Sequence, residues 1–136
     1  MGPEVHMRRT YAWAVEAGFD HAEAEVIARA DVEYDATFPA RRSAVNITRH
    51  FAPTAWLWSA HYFRKARTTR DLRLLGWALH TAQDAIAHGT LGERHLLDHA
   101  GLGRNPDHWE IAPAGIQRRI ERVTRDRLDR FLGVRA

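Results

Sequence analysis

The 136-residue chain has no cysteine, which excludes disulfides, thiolate metal ligands and cysteine nucleophiles together. Lysine is nearly missing as well: Lys65 is the single lysine among 20 basic residues, and the rest are arginine. No run of about 18 apolar residues occurs, so no membrane span is expected. The first residues lack the charged-then-apolar pattern of a secretory signal, which makes the cytoplasm the expected location. Nowhere do polar and apolar residues alternate over a strand's length. There is also no repeat, low-complexity stretch or linker, so residues 1–136 read as a single domain long enough to bury a core.

Hydrophobic residues at 45% and charged residues at 27% are usual for a soluble globular chain. The net charge is only +3, a weak footprint for a nucleic-acid partner. Arg118, Arg119, Arg122 and Arg125 accordingly read as a solvated face. Histidine is the anomaly. Nine occur, and His80, His88, His95 and His99 fall close together, an enrichment that core packing does not require.

Every long segment has helical period. Met7 to about Gly18 reads as a first helix closed by Gly18. Asp20-His21-Ala22-Glu23 is a capping-box start for a second, running towards Asp35. Phe38-Pro39 breaks it, and residues 39–52 read as a connecting loop. Pro53 opens a third helix to about Arg67. Thr68 with Asp71 caps a fourth, through Leu72, Leu75, Leu79 and Ile86 to His88, with Gly89 ending it. A short helix over Glu93–Ala100 follows. Pro113 opens the last, whose Ile116, Ile120, Val123, Leu128, Phe131 and Leu132 make one apolar stripe. The fold class is therefore all-α, a bundle of five or six helices, with a metal cluster expected in its core. Trp13, Trp56, Trp58 and Trp77 are expected to pack in the core and His21 to sit on the surface; His61 reads as a core residue ahead of a partner to the metal ligands or a substrate-facing acid.

The chemistry is concentrated in His80-Thr-Ala-Gln-Asp84-Ala-Ile-Ala-His88. Four residues advance a helix by about 400°, so these three side chains share one stripe. Imidazole and carboxylate are donors that zinc accepts, and helical spacing pre-sets their directions. His95 and His99 repeat the step, and Asp31 and Asp35 repeat it with carboxylates. Any one of these residues alone is better read as a hydrogen-bonded or solvated side chain. As a set they are not: His80 and Asp84 lie in an otherwise apolar helix, where they would be costly unless something such as a metal satisfied them together. Zinc, as two or three ions, is the expected cofactor, with other divalent metals able to substitute.

The stretch Gly76-Trp-Ala-Leu-His80-Thr-Ala-Gln-Asp84-Ala-Ile-Ala-His88-Gly89 resembles the central helix of the zinc-dependent phospholipase C and S1/P1 nuclease superfamily. His50-Phe51-Ala-Pro53 is similar to that family's upstream His-aromatic-x-Pro element, and His6 to the ligand on its opening helix. Asp31 or Asp35 falls where the family places a carboxylate shared between ions. The resemblance implies one ion on His50, His80 and Asp84, a second on His88 with the pair His95 and His99, and a third on His6 with Asp31 or Asp35. At the second site Glu93, Asp98, His108 and Glu110 compete, because the family's usual pair is His-x-x-x-Glu. The chain also departs in length, since members are commonly secreted and about twice as long.

The resemblance implies a zinc-dependent hydrolase of phosphate esters, in which the ions activate water and hold the phosphate of a small-molecule substrate. Asp31, Asp35 or Asp84 would orient that water while also binding metal. The alternative is a biosynthetic enzyme that uses the same cluster as a Lewis acid on a non-phosphate substrate.

Overall fold

The structure is a computed structural model that describes residues 4–89, 109 and 113–133. A π-helical segment, Glu4–Arg9, runs into α1, Thr10–Ala17. It is followed by α2 (His21–Thr37), a 3-10 turn at Ala40–Arg42, α3 (Ala44–His50), α4 (Thr54–Thr69), α5 (Leu72–His88) and α6 (Ala114–Leu132). Six α-helices and no strand occur among the described residues, so the chain is an all-α bundle. None of these helices is long and apolar enough to cross a membrane.

Local chemistry sets most of the boundaries. Gly18 ends α1 at φ 122°, a conformation that strains any residue with a Cβ. Asp20 and Glu23 form the reciprocal capping box at the start of α2, a device worth about 1 kcal/mol. Asp71 caps α5 by accepting the Arg73 and Leu74 backbone N–H groups at 2.8 and 3.4 Å.

Several expectations need correction. Residues 39–52 are not a loop. The Ser43 hydroxyl accepts the Asn46 N–H at 3.1 Å, and the Asn46 amide donates to the Pro39 carbonyl at 3.0 Å. These two bonds start α3, so His50 is its last residue and is buried. A helix of 7 residues is too short to display a periodic stripe in sequence. Thr68 caps nothing: it lies within α4 and donates to the Arg64 carbonyl at 2.9 Å. Leu132, at the end of the apolar stripe, is 37% exposed. His61 is exposed against Trp58 and Tyr62 rather than buried in the core. The helix expected over 93–100 lies outside the described residues.

Helix α5 is the axis of the bundle, packed chiefly on α4 and α2 with α6 also against it. Between Leu75 and Ala87 every residue but Trp77 is buried. Gly76 decides how close α2 comes. A Cβ there would lie 2.5 Å from the Ile27 carbonyl oxygen, 2.7 Å from the Ala30 Cβ and 3.0 Å from the Asp31 nitrogen. Hydrogen at this position lets the two backbones approach, and that approach sets Asp31 and Asp35 against His80 and Asp84.

Candidate metal centre

Six of the expected ligands converge between these helices. Asp31 and Asp35 come from α2, His80 and Asp84 from α5, His50 from the end of α3 and His6 from the π-helical segment. Asp35, His50, His80 and Asp84 place one ligand atom each within a common volume, and His6, Asp31 and His80 form a second such group. Asp35 thus joins His50, His80 and Asp84, while Asp31 accompanies His6. His88 reaches the edge of the cluster, with Nε2 3.8 Å from Asp84 Oδ1. His95 and His99, with their competitors Glu93, Asp98, His108 and Glu110, lie outside the described residues.

Two backbone carbonyls determine the imidazole tautomers. His80 Nδ1 stands 2.7 Å from the Asp31 carbonyl oxygen, and His50 Nε2 stands 2.7 Å from the Phe38 carbonyl oxygen. A carbonyl only accepts, so each of those nitrogens carries a proton and donates it. In a neutral ring the other nitrogen is then a bare lone pair. His50 Nδ1 faces Asp84 Oδ2 at 2.8 Å and Asp35 Oδ1 at 3.4 Å. His80 Nε2 faces Asp84 Oδ2 at 3.0 Å and Asp35 Oδ1 at 3.1 Å. That nitrogen is buried and makes no hydrogen bond. Lone pairs aimed at carboxylates repel unless a proton or a metal cation lies between them.

The separations suit a metal cation. Zinc bonds of about 2.0–2.2 Å in a tetrahedron put neighbouring donor atoms roughly 3.3 Å apart, and the four distances above bracket that value. The residues therefore fit a divalent ion. The carbonyls of Asp31 and Phe38 supply the outer hydrogen bonds that metal-ligating imidazoles ordinarily donate.

His6 is held differently. Its ring stacks on that of His80 with centroids 4.1 Å apart. Nδ1 meets Asp31 Oδ1 at 2.8 Å, and Nε2 is buried without a hydrogen bond, 3.5 Å from Asp84 Oδ1. Gln83 orders this corner. With its NH2 turned inward, the amide donates to the two Asp31 oxygens at 3.2 and 3.0 Å, and its oxygen accepts the Thr10 and Thr124 hydroxyls. His80 cannot serve both groups, because its Nδ1 proton is committed to the Asp31 carbonyl.

The electrostatics follow from packing opposite charges away from water. Burial opposes ionisation of Asp84, yet nearby positive charge, that of His80 included, and the His50 hydrogen bond hold its carboxyl well below the usual value. Partial burial likewise opposes ionisation of Asp35, but His80 outweighs it and keeps that carboxyl low. Burial disfavours charge on His80 and His50, but the Asp84 carboxylate beside them raises both. In the metal-free protein these imidazoles hold protons that an ion would displace.

Sequence reasoning missed the wall behind the ligands. The Tyr34 ring lies 4.7 Å from that of His80 and 5.6 Å from that of His50. Its hydroxyl meets that of Tyr62 at 2.9 Å, and burial pushes the Tyr34 phenol far above its ordinary range. Arg49 donates to the Tyr62 hydroxyl while its guanidinium lies 4.1 Å from the Phe38 ring and 3.8 Å from that of Trp58. The available signal was Tyr34 itself, an aromatic three residues from Asp31 and adjacent to Asp35. No protein-family model, curated protein or solved structure matches the chain.

Proposed function

We propose that this chain is a divalent-metal enzyme, zinc being the ion best suited, whose centre at Asp35, His50, His80 and Asp84 hydrolyses a small phosphate ester. The observation that carries the reading is the pair of carbonyl-fixed tautomers, which aims one nitrogen of His50 and one of His80 at two carboxylates. Two imidazoles and two carboxylates form a donor set that zinc accepts. When bound, a divalent ion there supplies Lewis acidity, making water nucleophilic near neutral pH and neutralising charge on a phosphoryl group.

The chain's own residues divide the remaining work. The Asp31 and Phe38 carbonyls hold the two rings in one tautomer and orientation. Asp84, almost fully buried, supplies fixed negative charge. The Asp35 side chain is 58% exposed, the one member of its group open to solvent. It is the carboxylate placed to orient an incoming water and take its proton. The fully buried Tyr34 ring, packed against His80 and His50, keeps water from that side. A site open mainly at one side chain favours a small ester over a polymer.

The test pairs metal analysis of reconstituted protein with a panel of phosphomonoesters and phosphodiesters. The reading expects at least one equivalent of tightly held divalent metal and turnover that chelation abolishes. Metal below one equivalent would remove the centre. A metal-replete protein inert on every ester but active on a non-phosphate metabolite would favour the Lewis-acid biosynthetic alternative.

A further inference from the structure

Away from this centre, α4 and α6 border an open groove of about 530 Å³. Its lining includes Arg64 and Arg67 from α4, Arg127 and Arg130 from α6, and Phe63 and Thr68. The spacing repeats: each helix carries two arginines three residues apart, on the same side of its own axis. Like charges so placed repel, and two such pairs facing one groove compound the cost.

Among the described residues little offsets it. Arg130 pairs with Asp126 at 3.0 Å. Among the described residues, no carboxylate or hydrogen-bond acceptor meets the guanidinium groups of Arg64, Arg67 or Arg127. Arg127 is the telling one, because its Nε is buried with no hydrogen-bond partner. Its guanidinium rests 5.7 Å from the Trp56 ring, a contact that offers no acceptor. Burial pushes that guanidinium below its ordinary value, and Arg130 adds to the shift against the opposing charge of Asp126. A buried donor without a partner is expensive, and an arginine is satisfied best by a planar or tetrahedral oxyanion that takes several of its N–H groups.

We propose that the groove between α4 and α6 is a binding site for a small, multiply charged phosphate anion, held by Arg64, Arg67 and Arg127. Three arginines that no carboxylate contacts among the described residues call for a ligand carrying several negative charges. The groove volume matches that of small-molecule sites. Such phosphate chemistry could come from a soluble metabolite or from a lipid headgroup. The site shares no residue with the metal centre and does not depend on the reaction proposed there.

The test titrates the full chain with inorganic pyrophosphate while following the Arg127 Nε–H resonance. That signal reports on the groove even though pyrophosphate also chelates metal. In parallel, the chain is sedimented with phosphatidylcholine vesicles containing phosphatidic acid. A saturable shift of the resonance is expected, with affinity falling about 100-fold in Arg64→Gln/Arg67→Gln, roughly tenfold for each charge-assisted contact removed. Arg127→Leu, which lacks that reporter and is titrated by calorimetry in metal-free protein instead, should abolish binding and raise the Tm of the ligand-free protein, because it removes a buried donor that has no partner; an arginine serving only to pack on Trp56 would lower Tm when replaced. Vesicle binding without pyrophosphate binding, lost in the same double variant, would identify the headgroup as the source. No saturable response to either probe, or a response unchanged in the double variant, overturns the proposal. So does Arg127→Leu that lowers Tm and keeps binding.

Discussion

His80 acts through both of its nitrogens. Nδ1 is tied to the α2 backbone, and Nε2 meets carboxylates from α2 and α5. The expected state of the metal-loaded protein is therefore specific: His80 protonated on Nδ1 and His50 on Nε2. Long-range proton–nitrogen spectra of the imidazoles read this directly, and the opposite tautomer in either ring would defeat the ligand assignment. Substitution should follow the same geometry. His80→Ala and Asp84→Ala each leave buried donors or carboxylates unpaired, which typically costs about 1–3 kcal/mol and more for charged groups. Both should lower Tm and metal content, whereas His21→Ala should change neither. His21 is exposed, and its one described hydrogen bond, at 2.6 Å, is to the Tyr11 hydroxyl. Equal behaviour of all three variants would break the assignment of α5 as the ligand helix. His50→Ala should lower both turnover and stability, because His50 is a buried helix terminus.

At the scale of elements, the centre depends on how closely α2 and α5 approach. Gly76→Ala inserts a methyl where the α2 backbone already stands within contact distance. Overpacking of this kind typically costs about 1–3 kcal/mol. Separating the helices also draws Asp31 and Asp35 away from His80. The expectation is a lower Tm together with a loss of metal affinity beyond what the Tm shift alone explains. Gly115→Ala is the control: on the first turn of α6 an added Cβ meets nothing within 4 Å, and replacing a helical glycine gains up to about 1 kcal/mol. Calorimetry with and without zinc distinguishes the two. Unchanged metal affinity in Gly76→Ala would mean that the helix separation does not set the site.

For the whole molecule, the clustered charges make stability depend on pH with opposite signs in the two metal states. His50 and His80 have folded values above their ordinary 6.5. Their contribution to the metal-free protein is complete below 6.5 and is lost as pH rises through the folded values. Asp35 and Asp84 have folded values below 3.8, so their contribution is present above 3.8 and is lost as pH falls through the folded values. Metal-free protein should be most stable between those limits and lose Tm as pH rises above about 6.5 and through the folded values of His50 and His80. Zinc requires deprotonated ligands, so its stabilising effect grows over the same interval. The gap in Tm between zinc-loaded and chelator-treated protein should widen with rising pH, and a constant gap would show that the imidazoles do not exchange protons for metal.

Periodicity, caps and breakers determined most of the architecture. The capping box at Asp20, the cap at Asp71 and the glycines at 18 and 89 act within a few residues, so they are legible without a partner. The four-residue steps at His80/Asp84/His88 and Asp31/Asp35 were legible for the same reason, because one helix sets both their spacing and their face. α3 was hidden by its length and by a cap that works only once Asn46 reaches back to Pro39. Which carboxylate joins which imidazole was not legible, since Asp31 and Asp35 occupy equivalent steps of one helix. The distance between α2 and α5 separates them, turning Asp35 to His50 and His80 and leaving Asp31 beside His6. The carbonyls that fix the tautomers, the Tyr34 wall and the arginine groove likewise arise only where separate segments meet. A sequence specifies donors and their spacing along one helix, but coordination, burial and counter-charge belong to contacts between helices.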